Sequence, residues 1–187
     1  NKQTYPNLIN FFSENKIEIE KSDMSFSVTV ENSDLEYCGK GLGGIFSNKK
    51  NLFNPKFLKM FFEILSFYKN CEKIEIKKIN SITLGEYLKE IKISEYFVNY
   101  HIIPMVSAIW SMPPYEAKQM PLSFFLSFFK NHGLFKIKDR PQWFTVANRS
   151  KTYVDKIIGQ VSGEHFKNYN INKITRNDLG VKIFYGE

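Results

Sequence analysis

Arginine, cysteine and histidine are all scarce in this chain. Of its 26 cations only Arg140, Arg149 and Arg176 are arginines, and the lysines are scattered along the sequence. Nucleic-acid readers cluster their cations and use Arg for bidentate contacts, so no nucleic-acid partner is expected despite a formal net charge of +7. Cys38 and Cys71 lie far apart and fit no metal spacing. They read as free thiols of a reducing cytosol rather than as a disulfide, and a cytoplasmic location is expected. His101, His132 and His165 show no HxxxH spacing and have no carboxylate at a ligand offset, so no metal site is expected. There is no GxSxG elbow, and serines such as Ser47 and Ser150 have ordinary capping explanations. No apolar run reaches the roughly 18 residues of a membrane span; the most apolar, 121–129, is too short. Peripheral membrane contact stays open. The chain starts at Asn1 with no signal-peptide pattern, and processing or truncation is expected to account for that start.

What is abundant is apolar: 43% of the 187 residues are hydrophobic and 16% aromatic, enough for the core of one domain or a little more. A Thr cap and an early Pro predict a short amphipathic helix over residues 4–15. Alternation of Met24, Phe26, Val28 and Val30 with polar residues predicts a strand, turned at Asn32-Ser33-Asp34 into a second strand over 35–38. Asn54-Pro55 opens a helix to about residue 70 whose apolar face is wide enough to need burial on more than one side. Thr83-Leu-Gly-Glu86 has the form of a capping box. The next helix, about 94–110, should be bent or divided by Pro104 and stopped by Pro113-Pro114. Pro121 opens a helix over 122–130, with Gly133 placed to serve as a left-handed cap. Short strands are expected at 134–137 and 144–146, a helix from Ser150 to about 161, and a terminal hairpin around Asn177-Asp178.

Two features invite a functional reading. Gly39-Lys-Gly41-Leu-Gly43-Gly44 formally satisfies GxGxxG. A phosphate-binding glycine turn must open directly into a helix, and the following residues 45–54 lack helical periodicity, so a flexible surface loop explains the run better. The second feature is the surplus of aromatics: Phe124, Phe125, Phe128 and Phe129 on one helix, with Tyr96, Phe97, Tyr100 and Trp110 on the one before it. Core packing is the default for such stripes, and the surplus is compatible with a pocket for an apolar or acyl substrate.

Four stretches together resemble one family: Thr4-Tyr-Pro-Asn-Leu8; Ser22-Asp-Met-Ser-Phe-Ser-Val28; Pro104 through Ala108-Ile-Trp110-Ser-Met-Pro113; and Phe128-Phe-Lys-Asn131-His-Gly-Leu134 through Arg140-Pro-Gln-Trp143 to Tyr153-Val154. They are similar to the predicted NAD/FAD-binding proteins of the flavin-containing amine oxidase superfamily, a group also similar to the flavoprotein portion fused to some plant cyclopropane fatty acid synthases. The resemblance implies an α+β fold: a mainly helical substrate-binding domain with a small antiparallel sheet over residues 1–142, and a return segment over 143–187 whose helix and strands rejoin an FAD-binding domain. It further implies FAD as cofactor, with most of its site outside this chain, and Ile171 as a contact on the adenine side. Around Ala147-Asn148-Arg149-Ser150 the family has a Gly-Gly-Ser turn whose glycines are absent here, which puts close backbone approach to the cofactor at that turn in question.

The implied activity is hydride acceptance by flavin from a C–N or C–C bond of an apolar, lipid-like substrate, with this chain alone expected to be inactive. Trp110, His132, Arg140 and Trp143, polar or aromatic tips among apolar neighbours, are the candidates for lining the substrate pocket. No residue is assigned as a general base. The competing expectation is a non-enzymatic helical module that binds a lipid or a partner protein through an apolar patch.

Overall fold

The computed structural model describes residues 1–79 and 81–186. They form two compact units, Asn1–Thr145 and the residues from Val146 on. The fold is α+β, as expected: helices dominate, and the strands pair two at a time.

The first unit begins with α1 (Pro6–Glu14) and β1 (Ile19–Ser22), followed by the antiparallel hairpin of β2 (Ser27–Thr29) and β3 (Glu36–Cys38). In that hairpin Val28 faces Tyr37, and both side chains are buried. The alternation in the sequence placed this inward face correctly. Next come α2 (Gly41–Ile45), a 3-10 turn (Lys49–Phe53) and the long α3 (Pro55–Lys73). Asn54 caps α3, its side-chain oxygen accepting from Lys56 N (3.0 Å) and Phe57 N (3.2 Å), with Pro55 in the first turn where no donor is needed. Phe57, Met60, Phe67, Tyr68 and Cys71 are buried along α3.

The predicted capping box is formed at the start of α4 (Leu84–Glu90). Thr83 Oγ1 accepts from Glu86 N (3.2 Å), and Thr83 N donates to Glu86 Oε2 (2.7 Å). The Pro104 helix is divided rather than bent: α5 (Glu95–Phe97), a π-helical turn (Val98–Ile102) and α6 (Ile103–Trp110). Proline has no N–H to give the carbonyl four residues earlier, that of Tyr100. That carbonyl accepts instead from the Tyr37 hydroxyl at 2.7 Å, so the disruption ties the β-hairpin to the helix.

Ser111, in the left-handed region at φ 51°, ends α6 before the prolines do. Pro114 then opens α7 (Pro114–Gln119), a helix the stop signal concealed. Phe125, Leu126 and Phe129 are fully buried along α8 (Leu122–Asn131), and α4 and α8 start side by side, Leu84 N donating to Met120 O and Leu122 N to Ile82 O. Gly133 adopts φ +65° just beyond the α8 cap, as expected. Residues 134–137 are not a strand. Leu134 N bonds back to Phe129 O and Lys136 N to Gly133 O, so the backbone is spent in turns while Phe135 enters the core. The strand that does form, β4 (Trp143–Val146), pairs with β1.

The residues from Val146 on comprise α9 (Lys151–Ile158) and the antiparallel hairpin of β5 (Ile171–Asn177) and β6 (Gly180–Tyr185). The hairpin and its turn lie where Asn177-Asp178 put them. None of the described residues here is buried.

No helix among the described residues is long and apolar enough to cross a membrane. Cys38 and Cys71 are both free; Cys71 is buried, and burial pushes its thiol up to about 12.

Candidate functional site

The first unit encloses a partly open cavity of about 540 Å³ between the β2–β3 hairpin, α3, the π turn, α6 and the segment after α8. That volume lies within the range of ligand sites, roughly 300–1,000 Å³. The apolar side chains of its lining that keep accessible surface include Phe26, Phe61, Ile64, Ile109 and Phe128. It opens into an outer cleft of about 730 Å³ that shares Met24, Ile64, Leu134, His132, Arg140 and Trp143 with it. The wide apolar face of α3 is thereby explained: Phe57 and Met60 bury against the core, whereas Phe61 and Ile64 turn partly into the cavity.

Three of the four residues expected to line a substrate pocket meet here. His132 is the C-cap residue of α8 and also a cavity wall. Phe128 O lies 2.8 Å from its Nδ1 and is an acceptor only, so Nδ1 carries a proton and donates; Nε2 shares a hydrogen bond with the Tyr5 hydroxyl at 2.9 Å. The ring is held between Phe128 (centroids 3.9 Å apart) and Trp143 (5.9 Å), nearly parallel to the latter at 10°. The ring thereby closes a last-turn carbonyl of α8. Arg140 stands at the cavity edge with its side chain exposed, and its Nε donates to Lys136 O at 2.7 Å. No carboxylate pairs with it among the described residues.

Trp110 is not in the lining. It packs on Phe124 and on the outer side of Phe128, with the Phe128 centroid 4.6 Å away, and so backs the wall instead of forming it. Ile171 sits in β5, half of its surface exposed.

Sequence reasoning did not single out His101, yet it is a buried polar residue of the cavity lining. Because the Tyr37 hydroxyl hydrogen goes to the Tyr100 carbonyl, that oxygen accepts from His101 Nδ1 at 3.0 Å. Nε2 is left as an acceptor for the Tyr68 hydroxyl at 2.9 Å. Burial, aided by the positive charge of Arg140, pushes the His101 imidazole down to about 3, so it stays neutral at ordinary pH. Burial holds the Tyr37 and Tyr68 phenols far above their usual range. Both ring nitrogens are committed, so His101 orders the wall and has no lone pair free for a ligand. The one signal for it was a polar residue in the apolar stripe Phe97, Val98, His101, Ile102, Met105. Tyr37 and Tyr68, distant in sequence, carried none.

The glycine run does not make a dinucleotide cradle. Gly41–Ile45 is a helix of five residues rather than the surface loop expected, and β3 before it belongs to an antiparallel hairpin, not to a parallel βαβ unit. Its glycines answer local demands: Gly41 has φ +68°, and a Cβ on Gly44 would lie 2.7 Å from Cys38 O. No group of His, Cys, Asp and Glu able to hold a metal occurs among the described residues.

No protein-family model matches this chain, and no curated protein matches it. The likeness to the flavin-containing amine oxidases rests on its motifs alone. What the geometry supplies independently is an apolar cavity with internally hydrogen-bonded polar groups in its wall and the Arg140 cation in its lining.

Proposed function

We propose that this chain supplies the substrate-binding portion of an FAD-dependent oxidoreductase resembling the flavin-containing amine oxidases, and that the apolar cavity of the first unit holds the substrate. The observation that carries the substrate half of this reading is the cavity, whose lining brings together His132, Arg140 and Trp143, chosen as polar or aromatic tips among apolar neighbours. When bound, FAD would accept a hydride from a C–N or C–C bond. The residues present do not fit its pyrophosphate, so no step is assigned to them beyond orienting an apolar substrate and excluding water. Ile171 is carried as a flavin contact by the resemblance alone.

The glycine run, spent on local turns and packing, favours a second reading: a non-enzymatic module that binds a lipid in this cavity. Visible absorption distinguishes the two. A protein carrying this chain together with a dinucleotide-binding segment should show the two flavin bands, while the 187-residue chain alone stays colourless. A longer protein that stays colourless after incubation with FAD would eliminate the oxidoreductase and leave the lipid-binding module.

A further inference from the structure

The cavity carries more information about its ligand than apolarity alone. Arg140 is the one residue with a permanent charge in its lining. The acidic side chain in the lining of the outer cleft, Asp23, is committed to Lys40 at 2.5 Å. Arg140 Nε is held by Lys136 O, which fixes the side chain and leaves the two terminal nitrogens of the guanidinium as donors. Also in the lining, the polar atoms of Tyr37, Tyr68 and His101 are bonded to one another and to Tyr100 O. These bonds commit them to one another, and the partly exposed Phe26, Phe61, Ile64 and Ile109 supply the apolar surface of the lining.

We infer that the cavity binds a single-chain amphiphile with a monoanionic carboxylate head, the carboxylate on the Arg140 guanidinium and the alkyl chain against the partly exposed Phe26, Phe61, Ile64 and Ile109 of the lining. One guanidinium balances one negative charge, and its paired N–H groups match the two oxygens of a carboxylate. A phosphate monoester, nearer two charges, would call for further cations, and Lys138 is in the cleft but not in the cavity lining. This inference names the substrate class of the site proposed above and rests on that site being a ligand cavity; it does not depend on flavin.

Isothermal titration of the 187-residue chain with butanoate, octanoate, dodecanoate, dodecan-1-ol and dodecyl phosphate tests it. Dodecanoate should bind most tightly, with affinity rising on the order of tenfold per pair of added methylene groups as apolar surface is buried. Arg140→Gln should weaken dodecanoate about tenfold and leave dodecan-1-ol unchanged, while Arg140→Lys retains part of the preference and Lys138→Gln leaves it intact. Circular dichroism of each variant establishes that it is folded. Dodecan-1-ol binding as tightly as dodecanoate, a preference that survives Arg140→Gln, or dodecyl phosphate binding more tightly than dodecanoate would overturn the assignment. A colourless longer protein that still selects dodecanoate through Arg140 would remove the oxidoreductase and keep this inference; a flavoprotein indifferent to the carboxylate would do the reverse.

Discussion

At the residue scale, His101 is the group whose chemistry departs most from its ordinary behaviour. In the unfolded chain it takes a proton near its usual 6.5, whereas the folded protein resists protonation down to about 3. Protons therefore favour the unfolded state between those values. The stability that neutral His101 contributes is fully present above pH 6.5 and is lost as the pH falls below it, by about 1.4 kcal/mol per unit. Urea unfolding of the wild type and of His101→Gln at a series of pH values checks this. The variant should be less stable at neutral pH by about 1–3 kcal/mol, because the Tyr37 and Tyr68 hydroxyls lose partners. Its stability should also fall less steeply in acid; parallel profiles would show that His101 is not the group responsible. His132 follows α8 as the C-cap residue, where its Nδ1 donates to the Phe128 carbonyl and its Nε2 bonds the Tyr5 hydroxyl.

At the scale of elements, local chemistry was read most accurately where the signal lay within a few residues. The Asn54-Pro55 start, the Thr83–Glu86 box and the Gly133 cap all formed as their side chains and φ angles require. The misreadings came where a tertiary contact changed what a local signal meant. Pro114, read as a stop, starts a helix; Phe135, read as part of a strand, anchors a turn in the core. The hairpin of β5 and β6 is the opposite case, with clear turn chemistry and little to cover it: Ile174, Val181 and Ile183 are each more than half exposed. A two-stranded hairpin with an uncovered apolar surface has marginal stability. Amide hydrogen exchange should accordingly find β5 and β6 exchanging orders of magnitude faster than the buried turns of α3 and α8. Equal protection in the hairpin and in α8 would show that its surface is covered in solution.

At the scale of the whole molecule, the chain divides into a unit with a continuous aromatic core and one without any buried residue among those described. Both tryptophans, Trp110 and Trp143, lie in the first. Thermal unfolding followed by tryptophan fluorescence should therefore report that unit alone, with a sharper and higher transition than far-ultraviolet circular dichroism, which also records α9 and the hairpin. Coincident curves would mean that the two units unfold as one. A carboxylate amphiphile in the cavity should raise the fluorescence transition and leave the hairpin contribution where it was.

Periodicity, caps and turn residues determined most helix starts and the two hairpin turns, because each of these depends on interactions within a few residues or on burial averaged over a segment. Only the tertiary structure decided that Tyr37, Tyr68 and His101 form one bonded cluster. Their sequence separations of 64 and 33 residues leave no local trace, and the carbonyl that orders the cluster is free only because Pro104 cannot donate to it. The same holds for the cavity. Phe57, Met60 and Phe128 read as core in any single helix, and which apolar side chains face a void and which face each other is set by how the helices and the hairpin close around Pro104.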